Sequence, residues 1–297
     1  MFRLASGTGD PVSTNQTLGD SFSEKQIWID WAYFNLHPDA IKGLNILGGK
    51  FATPFYAVGK NQLIWDSDLS PEGIAANYKL PLGDSDELFL NGAALWVEER
   101  EEGVDTSLWG AQAGLKHYLD GEKKKQYILG GLGWYCYGNI KGQSNLKNTW
   151  SSSNSFFGNS SLGGLFVNDY DILEAFGEYS FQMDKTPVSI FGEFVKNCAA
   201  ETSSDIGWLT GFTFNKAKDP GSWEFTYDYR DVQADAVVGA LNDSDFIGGG
   251  TNGKGHRFTF TYQLAKNLQV GPTYFLNERG DRDDDYRRLQ LDVVLKF

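Results

Sequence analysis

Glu174, Glu178 and Glu193 stand at positions that alternate with apolar residues along two neighbouring segments, and Glu224 and Asp228 repeat the arrangement further on. Lys50, Lys79 and Lys116 do so in the first half of the chain, and Arg257, Arg288 and Lys296 near its end. A strand turns successive side chains to opposite faces, so these charges share the face away from their aromatic neighbours. The chemistry open to such a face is electrostatic. Fixed charges projecting into water orient polar solutes and bias the passage of ions. If the strands close into a ring, the last abut the first. Basic groups then occupy one arc and acidic groups the other, with Lys50, Lys79 and Lys116 facing Glu174, Glu178 and Glu193. The plain alternative is that the charges are solvated or paired along the wall.

Other chemistries find little support. His37, His117 and His256 are far apart in sequence, and no Ser-containing signature lies near His256. Cys136 and Cys198 form neither a C-x-x-C motif nor a zinc spacing, and haem-attachment motifs are absent. One full strand is predicted between the two cysteines, which would strain a disulfide, so two separate thiols are expected. The acidic run 281–285 lacks the spacing and glycine of an EF-hand loop and reads as a solvated turn. No catalytic residue, metal or cofactor is therefore expected. The net charge of −13 argues against a nucleic-acid partner.

The elements that carry the charges have period two. In 223–230, Trp223, Phe225, Tyr227 and Tyr229 alternate with Glu224, Thr226, Asp228 and Arg230. In 256–264, Phe258, Phe260, Tyr262 and Leu264 alternate with Arg257, Thr259, Thr261 and Gln263. In 288–297, Leu289, Leu291, Val293, Leu295 and Phe297 alternate with mostly charged or polar residues. Further segments fall at 2–5, 26–36, 44–53, 73–80, 87–97, 108–119, 126–139, 170–181, 188–197, 206–214 and 268–277. This makes about fourteen strands and an all-β chain, expected to form one domain over 1–297.

Mean hydropathy is −0.38, and no stretch of about 18 apolar residues exists. A membrane helix is excluded, but a membrane barrel is not, because its strands are apolar only at every second position. Aromatics reach 15%, enough for the interfacial girdles that such a barrel carries. Short connections interleave with long ones along the chain. The short ones fall near 38–42, 83–86, 121–124, 184–187, 217–220 and 265–267. The longest are 6–25, 55–71, 141–169 and 231–255. Transmembrane barrels have this asymmetry between their two ends. The expectation is a single transmembrane antiparallel β-barrel, wide enough to enclose water. Because 141–169 holds Trp150, Phe156, Phe157, Leu162 and Phe166 in a polar context, it is expected to fold inward and narrow the lumen. The stub 2–5 has about half the 9–11 residues that a spanning strand needs. The expectation is an incomplete first strand, a weakened seam beside 288–297 and a full barrel of 16 strands. No signal peptide opens the chain.

Several runs resemble the putative porins of bacterial outer membranes. They are Arg3-Leu4-Ala5-Ser6-Gly7 with 10–20, Ala32-Tyr33-Phe34, Gly48-Gly49-Lys50 with Pro54-Phe55, Leu63-Ile64-Trp65-Asp66, Asp243-Ser244-Asp245-Phe246 and Gly255-His256. The Gly-Gly-Lys and Pro-Phe run is also similar to phosphate-selective porins. The aromatic C-terminal residue of the last strand resembles the assembly signal of outer-membrane barrels. The resemblance implies an outer-membrane location and passive diffusion of small hydrophilic solutes and ions through a water-filled channel. The partners expected are outer-membrane lipid, those solutes and ions, and further copies in a homotrimer. The acidic excess adds a mild cation preference. Other readings are a substrate-specific channel for anions such as phosphate, or a sheath around a partner such as an electron-transfer cytochrome.

Overall fold

The computed structural model describes residues 1–297 except 8–9, 15–20, 23, 102, 147–155, 281–283 and 297. Fourteen strands form one antiparallel sheet, each paired with its neighbours in chain order. They are β1 (Phe2–Ser6), β2 (Ile27–Leu36), β3 (Leu44–Lys50), β4 (Glu72–Leu82), β5 (Asp86–Glu98), β6 (Thr106–Tyr118), β7 (Tyr127–Gly138), β10 (Asp171–Met183), β11 (Thr186–Asn197), β12 (Ile206–Asn215), β13 (Trp223–Val232), β14 (Gly253–Ala265), β15 (Leu268–Arg279) and β16 (Asp284–Leu295). A small hairpin, β8 (Ser161–Leu162) with β9 (Leu165–Phe166), lies in the connection from β7 to β10. The expected strand count is that of the main sheet. The hairpin is the addition. β1 and β16 are the sheet's edges and are not paired with each other.

The sheet has a greasy outside and a polar inside, as the alternation requires. Along β10, Ile172, Glu174, Phe176, Glu178 and Ser180 are buried, while Leu173 and Tyr179 are exposed between them. On β16, Leu289, Leu291, Val293 and Leu295 are exposed, Leu291 by 76%, and Arg288 on the opposite face meets an interior carboxylate. A continuous wall of exposed Trp, Phe, Leu and Ile is costly in water and favourable in hydrocarbon. Short turns close one end and long connections the other, in the order predicted.

Local exceptions re-aim side chains. Arg3 pairs in register with Trp31 but Leu4 with Ile29, so Asp30 is an extra residue in β2. The bulge turns both Asp30 and Trp31 inward, where Arg3 lies 3.3 Å over the Trp31 ring and forms an ion pair with Asp30. β3 ends at Lys50 rather than at residue 53, after Gly49 at φ +123°. Cys136 and Cys198 are free thiols. β10 stands between them, its Asp171 opposite Cys136 and accepting from the Cys198 backbone N–H at 2.7 Å.

The lipid-facing assignment has a direct test. Leu289→Arg places a charge on the outer face near mid-strand and should destabilise the folded state by about 2–4 kcal/mol. Gln290→Arg, turned inward near Asp245, should cost far less. Urea titration of refolding into lipid vesicles reads both. Equal penalties would mean that the two faces are misassigned.

Candidate functional site: the interior of the sheet

The interior is organised by one connection. The segment 51–71, between β3 and β4, crosses to the wall formed by β10, β11 and β12. β11 lies six places along the sheet order from β3. Its sequence explains the inward turn. Phe51, Phe55, Val58, Leu63 and Ile64 are all buried, joined by Tyr56 and Trp65, and no such run could remain in solvent. Gly59 allows the close approach. Its φ is +57°, and a Cβ there would fall 2.5 Å from the Phe191 ring.

Polar contacts latch the segment to the wall. Gln112 grips the peptide of Tyr56 from both sides, accepting from its N–H at 2.8 Å and donating to its carbonyl at 2.9 Å. The Tyr56 hydroxyl donates to Glu178 at 2.9 Å, and Asn61 donates to Glu193 at 2.6 Å. Glu174 accepts from Gln112 at 3.0 Å and from the Tyr135 hydroxyl at 2.7 Å. A chain of amides leads into this cluster: Asn77 donates to Asn91 at 2.7 Å, and Asn91 to Gln112 at 3.0 Å. Burial and the Glu178 carboxylate push the Tyr56 hydroxyl far above its usual range, so it acts as a donor at all ordinary pH.

A second connection, 233–252, fills the space beside β13 to β16. Arg230 donates to Asp228 at 3.0 and 3.1 Å and to Asp243 at 2.7 Å, all buried. Arg257 donates to Asp228 at 2.6 Å, and Arg288 pairs with Asp245 at 2.8 Å. Asp228 is thus shared by two guanidinium groups, which compensates for their burial. The two connections meet at Asp66, whose N–H donates to the Leu241 carbonyl at 2.9 Å and whose carboxylate accepts from the Ser244 N–H at 2.8 Å. Burial, with Asp243 and Asp68 adding repulsion, pushes the Asp66 carboxyl up to about 7. The crossing segment divides the interior. Its Phe55 and Trp65 line a cavity of about 480 Å³ on the long-loop side, and its Tyr56 and Lys60 line one of about 560 Å³ on the short-turn side.

The interior differs from the expected pair of facing charge arcs. Lys79 and Lys116 lie on the inner faces of β4 and β6, and Lys116 stands opposite Glu87 in register, 4.3 Å from the Tyr127 ring. Lys50 does not join them. It shares the outer face of β3 with Gly48 and, at the strand's end, its ammonium donates to the Ser70 carbonyl at 2.9 Å and to Glu72 at 3.2 Å. Glu174 and Glu193 are on the inner face but are covered by 51–71, where they hold the segment rather than face water. Glu178 and Glu224 line the lower cavity with Arg257, whereas Asp228 lies buried behind it. Arg288 is inward but paired. Opposite charges therefore meet locally instead of occupying separate arcs. Among the described residues, 141–169 turns Phe156 and Phe166 into the buried core but is not the segment that crosses to the wall of β10, β11 and β12. Of its described residues, Asn159 and Ser160 bond to Ala234, Val237 and Asp235 in the second connection. Trp150 and residues 281–283 of the acidic run lie outside the described residues.

Sequence reasoning missed Gln112, Tyr56, Asn61 and Asp66. A signal was there: 55–65 is more apolar than any part of 141–169, with Phe55-Tyr56-Ala57-Val58 and Leu63-Ile64-Trp65.

A family model described as "Putative porin" matches residues 1–169 and 160–280. The chain belongs to that porin family. No curated protein matches it. Two solved structures are similar to this porin. One is a loop L8 deletion mutant of OmpT, an outer membrane protein of Vibrio cholerae. It is 10% identical, with 91% of this chain and 80% of that chain covered and a TM-score of 0.50. The other is the outer membrane channel DcaP of Acinetobacter baumannii, 11% identical, with 93% and 75% covered and a TM-score of 0.47. At 10% identity the likeness to the OmpT mutant is one of fold.

Two outcomes are expected. Gln112→Ala strips the Tyr56 peptide and Glu174 of a buried partner and should destabilise the protein by about 1–3 kcal/mol, read from urea midpoints. The Asp66 carboxyl titrates higher when folded than its ordinary value of 3.8, so the folded state holds the extra proton. Its contribution is complete below about pH 4 and is lost as pH rises through about 7. Resistance to urea should fall over that window, and Asp66→Asn should flatten the slope. An unchanged slope in that variant would assign the effect to other groups.

Proposed function

We propose that this porin is a passive outer-membrane channel for small hydrophilic solutes and ions, formed by one barrel over 1–297. The observation that carries the reading is the contrast between the two faces of one sheet. The outer face is exposed Leu, Ile, Phe and Trp. The inner face holds Lys79, Lys116, Glu178, Glu224 and Arg257, the last three of which line the lower cavity. Family membership supports it. Outer-membrane lipid on one face and solute on the other are the partners that this contrast requires, and a homotrimer is part of the proposal. Since the interior arginines are paired with carboxylates and Lys116 stands opposite Glu87, the channel is expected to select weakly between small anions and cations. A specific anion channel would need basic groups left without carboxylates, and Arg230, Arg257 and Arg288 all have them.

Single-channel recording in planar bilayers is the test. The reading expects discrete conductance steps and a reversal potential near zero in a salt gradient. Replacing residues 56–64 by a short Gly/Ser linker should raise the step size severalfold, because that segment crosses the interior. No conductance from a folded chain would favour a sheath around a partner. A steep anion reversal potential would favour the specific channel.

A further inference from the structure

The strand registers place one kind of group at one height on the inner wall. Ser180 pairs with Ser189, Ser189 with Thr213, Thr213 with Thr226, Thr226 with Thr259, and Thr259 with Thr273. Every member is on the inward face of its strand. Six consecutive strands, β10 to β15, thus present an unbroken belt of hydroxyl groups. On β7 the same row continues with Tyr127, opposite Ser180, and on β16 with Gln290, opposite Thr273. Neighbours in the belt bond to each other: Thr213 and Thr226 Oγ1 atoms are 3.1 Å apart, and Thr273 donates to Thr259 at 3.3 Å. None of this is visible in the sequence, where the residues are spread over 94 positions.

The belt runs through the lower cavity, whose roof is Tyr56 and Lys60 from the crossing segment. At about 560 Å³ the cavity falls within the range of about 300–1,000 Å³ that encloses small organic ligands. Its charges do not give it one sign. Glu178 accepts from the Tyr56 and Tyr127 hydroxyls, Arg257 is held by Asp228, and Lys60 and Lys216 share the lining with Glu178 and Glu224. A hydroxyl donates once and accepts twice, so a bond along the belt leaves each group able to bond inward. The tyrosine rings add apolar faces beside these polar edges.

We infer that this belt is a binding site for neutral polyhydroxylated solutes of sugar size, which exchange hydrogen bonds along it as they pass the crossing segment. The inference rests on the channel reading above. A solute hydroxyl also donates and accepts, so it replaces water along the belt bond for bond. An equally large polyether donates only through its two terminal hydroxyls and otherwise accepts, and an apolar solute leaves the belt without partners.

The experiment uses the full chain with sucrose as the probe and a polyethylene glycol of equal hydrodynamic radius as control. Sucrose should interrupt the ionic current in a concentration-dependent way and give saturable heat in calorimetry of the detergent-solubilised protein, while the polyether does neither. Thr213→Val, Thr226→Val and Thr259→Val together keep shape but remove three hydroxyls. They should weaken the sucrose effect roughly tenfold or more. Retained heat modifiability on a gel shows that the variant is folded, and Thr226→Ser in place of Thr226→Val, with the other two valines kept, should restore part of the effect. Equal interruption by sucrose and polyether, or a triple variant that binds as well as the parent, would overturn the inference and leave the channel intact. Saturable sucrose heat with no conductance would overturn the channel reading and keep the site.

Discussion

A strand in hydrocarbon has no water to satisfy its N–H and C=O groups, so each must find them in the strand beside it. That constraint accounts for most of what this chain shows. It forces pairing in chain order across fourteen strands, and it turns one residue in two toward lipid. It also relegates every device of functional interest to the other face or to the connections. The crossing segment 51–71 is compatible with it only because its own polar groups are answered from the wall. Gln112 serves both backbone groups of Tyr56, and Asn61 supplies what the backbone around Val58 and Leu63 requires.

Inside, the energetic problem is the reverse. Removing Asp228, Arg230 and Asp243 from water is costly, and each is tolerated because it reaches another of the group. The interior therefore combines rigid, paired charge at mid-height with neutral hydroxyls below. The first fixes where the connections lie. The second leaves a surface that can exchange partners. Asp66 stands apart, as a carboxyl buried between two connections with backbone donors but, among the described residues, no cation at hydrogen-bond distance.

The strands were legible because period-two alternation is strongest where one face meets lipid. For 223–230 and 256–264, aromatic and polar residues alternate without a break, and the observed elements match within two or three residues. Lys50 was not legible, because it follows Gly48-Gly49 at a strand end, where no side chains mark the faces and Gly49 adopts a positive φ. The charge arcs failed for another reason. Facing partners such as Asp228 and Arg257 are fixed by register, and register depends on turn lengths rather than on composition. The scattered aromatics of 141–169 point to it as the segment that narrows the lumen, although the denser apolar run lies in 51–71.

The partners of the crossing segment lie far downstream: Glu178 is 122 residues beyond Tyr56, and Glu193 is 132 beyond Asn61. Neither anchor exists as a docking surface until β10 and β11 have zipped onto β7. Contacts that span so much chain form late, after local hairpins have closed. The order of assembly expected from this separation is that the wall pairs first and its own connection then docks across it, which would make narrowness the final property that the molecule acquires.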